Sequence, residues 1–357
     1  MILDEIKKNS SINKVPDKDS VDFSIVLISY KHDAFFMDAL ESILNQKYER
    51  KKMELIVICK SYGAPINFLK TQSLGISLKL VIDDNFKIGP KFRKAIEASK
   101  YDWIVILDDD DLWHPYKLTI LSSFIQKDKT VGYIHNSKVY INEKFSINQI
   151  KVDPILNYNS NETDNFPRNK YKTFSDCEHN ESSIAFKKSI IKSALDVLSD
   201  LEGSVDTFLY LSARGQDSKQ QCIDDKLTYF RIRDGKNPSF SNKDLNDNLI
   251  RQLNSYRTIQ MLHFHTSYTL NIIKTRIVTN EIKLVLLLHF KKDLKEKAIL
   301  LKTSLQLKLC ADPEYFFLIL LLVISMVSTK LANRLYSLLR NIKKKAVRPF
   351  MTAFIVY

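Results

Sequence analysis

The chain has 357 residues, 45% of them hydrophobic and 27% charged. That balance excludes a disordered or low-complexity protein and suffices for one large domain with an appendage. The formal net charge of +13 suits an anionic partner such as nucleotide phosphate, acidic lipid or nucleic acid, without choosing among them.

Residues 1–21 are polar and read as a tail, with no basic and apolar stretch of the kind that marks a secretory signal. Residues 23–29 (FSIVLIS) form an apolar, β-branched run, the pattern of a strand buried on both faces. Asp33 is placed to cap the following helix, where Phe36, Leu40, Ile43 and Leu44 recur at helical spacing. Further strands are expected at 53–59 and 77–83. Pro90 opens a helix whose Phe92, Ala95, Ile96 and Ser99 face the sheet. A fourth strand, Trp103–Leu107, runs into four aspartates, and Pro115 opens a helix carrying Leu118, Leu121 and Ile125. This alternation predicts an α/β fold with a mostly parallel sheet, whose ligands bind beyond the carboxyl ends of its strands.

Residues 131–141 predict a strand, and 153–181 a long polar loop. Regular structure resumes at 182–191, in a helix near 204–213 and in a strand at 227–233. Beyond residue 241 the chain reads as helical. Residues 315–327 (YFFLILLLVISMV) are intensely apolar and are followed by Lys330, Arg334, Arg340 and Lys343–Lys345. The run is short for a membrane span of about 20 residues. Its basic sequel suits peripheral contact with an anionic membrane through 315–348, while a buried core helix explains the same run. The cysteines Cys59, Cys177, Cys222 and Cys310 are scattered with no CxxC pair, which argues against a zinc or dithiol motif and fits a reducing compartment.

Asp108–Asp111 is the most informative feature. Carboxylates crowded at a buried strand end repel one another unless a cation occupies the place. Mg²⁺ and Mn²⁺ prefer oxygen ligands and share them with phosphates. Alternation along a strand would let Asp108 and Asp110 act together. An EF-hand lacks its glycine and glutamate here, and Leu112 argues against an aspartyl phosphatase. A solvent-exposed acidic loop remains the plain alternative.

Residues 23–46, then MELIVI, then AIEASKYDWIVILDDDDLWHPYKL resemble the family 2 glycosyltransferases of GT-A fold. Tyr30 after the first strand, Ser42 with Gln46, and Leu107–Asp111 fall in the family's order. Trp113, Pro115, Lys117 and Leu118 extend the match. The resemblance makes residues 22–240 a GT-A glycosyltransferase domain, set between the polar tail at 1–21 and a helical region at 241–357 for which membrane contact and a buried core helix both stay open. It also implies transfer of a sugar from a nucleotide sugar to a hydroxyl of a glycan or lipid-linked glycan, inverting and dependent on Mn or Mg. Asp108 would contact the nucleotide, Asp110 the metal and Tyr30 the base. Asp206, in Gly203–Phe208, would be the general base, with Glu202 in reserve; a carboxylate favoured by the helix dipole explains Asp206 equally simply.

Arg233 stands where the family's late motif carries a histidine and would neutralise the diphosphate, and Arg93 would add a phosphate contact. Cys59–Lys60–Ser61 replaces the family's base-reading aspartate, which leaves the nucleotide open. A nucleotidyltransferase is a second reading, weakened because Ser29–Asp33 holds no glycine for a phosphate loop, and a non-catalytic binding protein is a third. No nucleic-acid recognition module is present. The expected location is the cytoplasm, at the inner face of the cell membrane.

Overall fold

Apolar, β-branched runs become strands where the chain can cover both of their faces. A computed structural model describes residues 20–29, 35–61, 69, 74–85, 87–150, 179–216, 218–232, 242–262, 266–287, 293–307 and 313–338. In it β1 (Phe23–Ile28) and β2 (Met53–Cys59) are buried at every position. β3 (Ser77–Ile82) is only partly covered, as an edge strand should be. β4 (Trp103–Asp108) is buried up to its final residue. β5 (Leu112–Trp113), β6 (Val131–Ile141), β7 (Ile184–Lys187) and β8 (Lys219–Arg231) complete the sheet, in the order β3-β2-β1-β4-β7-β6-β8-β5.

The sheet is mostly parallel, as the strand–helix alternation predicts. β3, β2, β1 and β4 run parallel, as do β6 and β8. β7 is antiparallel to β4 and β6, and β5 to β8. Sequence periodicity missed β5 and the first half of β8. Residues Lys219–Lys226 are mostly polar, and only Ile223 among them is buried, so no apolar alternation marks them. Pairing with β6, across three register shifts, holds them in the sheet.

α1 (Phe36–Leu44) buries Phe36, Leu40 and Ile43 of the stripe read from sequence, together with Ala39, while Leu44 is only partly buried. Its N-cap is Phe35, with no side-chain cap, and Asp33 lies outside the described residues. α2 (Ile88–Ala98) starts two residues before Pro90, which is tolerated because first-turn N–H groups need no intrahelical partner. Phe92, Ala95 and Ile96 are buried. α3 (Lys117–Lys127) buries Leu118, Leu121 and Ile125.

The described residues fall into two compact units, bounded by Met1–Asp84, Arg93–Lys192 and Asp217–Arg231 for one and by Asn85–Phe92, Ser193–Gln216 and Ile232–Tyr357 for the other. The first holds the sheet and a core that runs from Phe23 and Leu27 to Trp113, Leu118 and Leu227. The second holds α4 (Leu195–Asp200), α5 (Val205–Arg214), α6 (Asn242–Ile259), α7 (Ser267–Leu287), α8 (Leu294–Gln306) and α9 (Pro313–Val327), with residues 329–338 also helical. Ile282, Val285, Leu318, Leu322 and Ala332 form one of its cores. Among the described residues no helix is long and apolar enough to cross a membrane. Cys59 is buried and not disulfide-bonded. Cys222 is disulfide-bonded.

Gly89 ties the start of α2 to the segment after α4. Its N–H donates to the Leu201 carbonyl at 3.0 Å, and a Cβ there would overlap the Leu198 carbonyl oxygen. Gly89→Ala is therefore expected to cost about 1–3 kcal/mol of stability, read by thermal denaturation. An unchanged melting temperature would show that this close approach is absent.

Candidate active site

Parallel strands deliver their carboxyl ends to one edge, and ligands of such sheets bind there. Ile28 at the end of β1 lies beside Asp108 at the end of β4. The neighbouring chain ends stay in register. Ser29 N–H donates to the Ile58 carbonyl at 2.8 Å, and Asp83 N–H to that of Cys59 at 3.0 Å.

β4 stops at Asp108, and Asp109 and Asp110 form a turn in which Asp111 N–H reaches back to the Asp108 carbonyl at 3.3 Å. The period-two alternation expected of Asp108 and Asp110 therefore does not hold. What groups these carboxyls is the turn. Asp111 is 1% exposed. Loss of water, and then the charge of Asp110, push its carboxyl up to about 8. Asp108 is raised well above the usual carboxylate range, first by burial and then by Glu181, Asp111, Asp110 and Asp109.

Arg231 holds this turn from the end of β8. Its backbone N–H donates to Asp111 Oδ1 at 2.9 Å and its Nε to the Asp110 carbonyl at 2.9 Å. Its Nη1 donates to the Asn142 and Phe145 carbonyls at 3.1 and 2.7 Å. Nη2 lies 3.5 Å from Asp38 Oδ2 on α1, and the guanidinium is stacked 4.1 Å over the Phe35 ring. A planar fork with five donors can span this many carbonyls, where a lysine ammonium cannot.

Ser182 holds the turn from beneath. Asn180, at φ 89°, precedes the 3₁₀ turn Glu181–Ser183 and accepts from Ser182 N–H. Ser182 Oγ accepts the Asp108 N–H at 3.0 Å. Its carbonyl accepts from Trp113 Nε1, Lys117 Nζ and Thr228 Oγ1 at 3.0, 2.6 and 3.1 Å. Lys117 is fully buried, lies 4.7 Å over the Trp113 ring, and is pushed well below the usual lysine range by burial.

Ser42 and Gln46 turn out to be staples. Ser42 Oγ donates to the Ala39 carbonyl and accepts Trp113 N–H, at 2.7 and 3.2 Å. Gln46 donates to the His114 carbonyl at 3.0 Å and accepts Leu118 N–H at 3.1 Å. Together they fasten α1 to the segment after the acidic turn.

The structure places Asp108 and Asp110 together. Arg93 lies on α2 in an ion pair with Glu97 at 2.7 Å. Asp206 lies in the first turn of α5, in the second unit, and its Oδ1 accepts Thr207 N–H at 2.7 Å. Ser204, at φ 55°, bends the chain into this helix. Ser255 Oγ on α6 accepts the N–H groups of Glu202 and Gly203 at 3.2 and 3.0 Å. Glu202 itself meets Asn254 Nδ2 at 3.4 Å. Tyr30 and Arg233 lie outside the described residues. Sequence reasoning passed over Arg231 in favour of Arg233. The usable signal was an arginine within an otherwise apolar strand end. Nothing local marks Ser182.

This sheet, with an acidic turn at the carboxyl end of a central strand, has the GT-A architecture. Residues 24–195 match the sequence model of glycosyl transferase family 2, and this segment is a family 2 glycosyltransferase domain. No curated protein matches the chain in sequence. Among solved structures, S. aureus TarS 1–349 in complex with UDP-GlcNAc is similar at TM-score 0.58 and 13% identity, over 88% of this chain and 90% of that one. Its complex with UDP gives 0.56 and 12%, over 89% and 91%. The mannosyltransferase PcManGT from Pyrobaculum calidifontis, in complex with GDP-Man and Mn²⁺, gives 0.47 and 14%, over 91% and 93%.

The raised Asp111 carboxyl has a stability consequence. The folded chain keeps the proton up to about pH 8, while the unfolded chain releases it near 3.8. Its stabilising contribution is therefore full below the unfolded value and is lost as pH rises through the folded one. The melting temperature of metal-free protein should fall between about pH 4 and about pH 8. Asp111→Asn, which keeps an acceptor for Arg231 N–H, should flatten part of that fall and match or exceed wild type at the upper end. A variant with the wild-type slope would remove Asp111 as a source of it.

Proposed function

We propose that the chain transfers a sugar from a nucleoside-diphosphate sugar to a hydroxyl of a glycan or lipid-linked glycan, with inversion and with Mn²⁺ or Mg²⁺. The observation that carries this reading is the half-buried carboxyl of Asp108, crowded by Asp109, Asp110, Asp111 and Glu181 at the ligand edge of a parallel sheet. Such crowding is relieved by a cation. Mg²⁺ and Mn²⁺ prefer oxygen ligands and share them between carboxylates and phosphates. The binding of UDP and UDP-GlcNAc by TarS, a protein of the same fold, supports the choice of donor.

Asp110 would hold the metal and Asp108 would contact the nucleotide. The metal would supply charge neutralisation of the departing diphosphate. Tyr30 would stack near the base and Arg233 would pair with the diphosphate. Arg93 would turn from Glu97 to a phosphate oxygen at small cost, since an exposed helical pair of this spacing contributes only about 0.3–0.5 kcal/mol. Asp206 would take the proton of the acceptor hydroxyl as its oxygen bonds to the anomeric carbon and the nucleoside diphosphate leaves with the electrons of the broken bond.

Two variants test this. Asp110→Asn should abolish the metal-dependent part of donor binding in calorimetry across a panel of UDP- and GDP-sugars. Asp206→Asn should leave donor affinity unchanged and lower kcat by about 10²–10⁴-fold. Wild-type turnover in Asp206→Asn would exclude it as the base, and donor binding indifferent to metal in the wild type would overturn the metal's role.

A further inference from the structure

The apolar run near the C-terminus divides its residues between two faces. In α9 and the helix that follows, Leu318, Ile319, Leu321, Leu322 and Ala332 are buried in the helical core. On the other side, Phe316, Phe317, Leu320, Val323, Val327 and Leu331 are exposed, at 47, 51, 44, 40, 92 and 49%. Steps of three and four residues place Phe316, Leu320, Val323, Val327 and Leu331 on one stripe.

The stripe is held firmly from within. Lys297 on α8, itself 6% exposed, donates its Nζ to the Ser325 carbonyl at 2.7 Å and to Thr329 Oγ1 at 3.1 Å. This cation satisfies a carbonyl near the end of α9, where the helix dipole favours positive charge. The exposed side chains thus stand on a braced scaffold.

Charge identifies the occupant. From Tyr315 to the end the sequence has no Asp or Glu, and it has seven basic residues: Lys330, Arg334, Arg340, Lys343, Lys344, Lys345 and Arg348. A second copy of this chain would set like charge against like charge. An anionic bilayer surface instead accepts an apolar stripe into its headgroup boundary and a basic flank among its phosphates. α9 is too short and one-sided to span, so it would lie in the plane.

We propose that this face docks on an anionic lipid surface through Phe316, Phe317, Leu320, Val323, Val327 and Leu331, with Lys330 and Arg334 contacting headgroups. The inference stands independently of the donor, metal and catalytic base.

Full-length protein should co-sediment with phosphatidylcholine vesicles containing phosphatidylglycerol, weakly with phosphatidylcholine alone, and less as salt rises. The double variants Phe316→Ser with Phe317→Ser, and Lys330→Gln with Arg334→Gln, should each weaken binding about tenfold or more. Unchanged circular dichroism and melting temperature would confirm that they fold. Absence of binding to anionic vesicles, or equal binding by all variants, would overturn the proposal. So would a dimer by light scattering that becomes a monomer in the Phe316→Ser, Phe317→Ser variant, since the stripe would then belong to a second copy.

Discussion

The site depends on one constraint: five carboxyl groups must share the end of a buried strand without pushing it apart. Burial and mutual repulsion lift Asp108 and Asp111 far above ordinary carboxylates. The fold meets this with Arg231 donating to the Asp110 carbonyl and to one Asp111 carboxylate oxygen, and with Ser182 Oγ accepting the Asp108 N–H. Among the described residues the Asp108 carboxylate is crowded by its acidic neighbours Glu181, Asp111, Asp110 and Asp109.

The support beneath the turn has its own logic. A buried ammonium and a buried carboxylate, each charged, would both be costly in an apolar surround. Burial instead drives Lys117 down and Asp111 up, so both tend toward their neutral forms. Lys117 then serves as a hydrogen-bond donor packed on Trp113, holding the Ser182 carbonyl. The Ser42–Gln46 pair and the Asp108–Asp111 turn, separate motifs in the sequence, are parts of one assembly. Gln46 ties α1 to the segment that leaves the turn.

Much of the fold was legible. β2 and β6 run as the apolar pattern predicts, and β1 and β3 end one residue short of prediction. α1 buries the stripe read from Phe36, Leu40 and Ile43. The period-two expectation failed at Asp109 and Asp110, because a strand that ends can no longer dictate which way its successors point. The polar half of β8 was invisible because its pairing with β6, rather than its own side chains, makes it a strand.

The order of motifs and the apolar runs, determined by the sequence alone, were enough to identify the domain and to set the four aspartates at the end of a buried strand. Periodicity reports on neighbours a few residues apart, and that is the range over which strands and helices choose a buried face. Tertiary structure alone decided that Glu181 crowds Asp108, that Ser182 holds its backbone, and that Arg231 braces the turn. It also decided which half of the apolar α9 is covered. A side chain's charge state and exposure depend on groups brought near by folding, from segments tens of residues away, and no local pattern encodes that proximity.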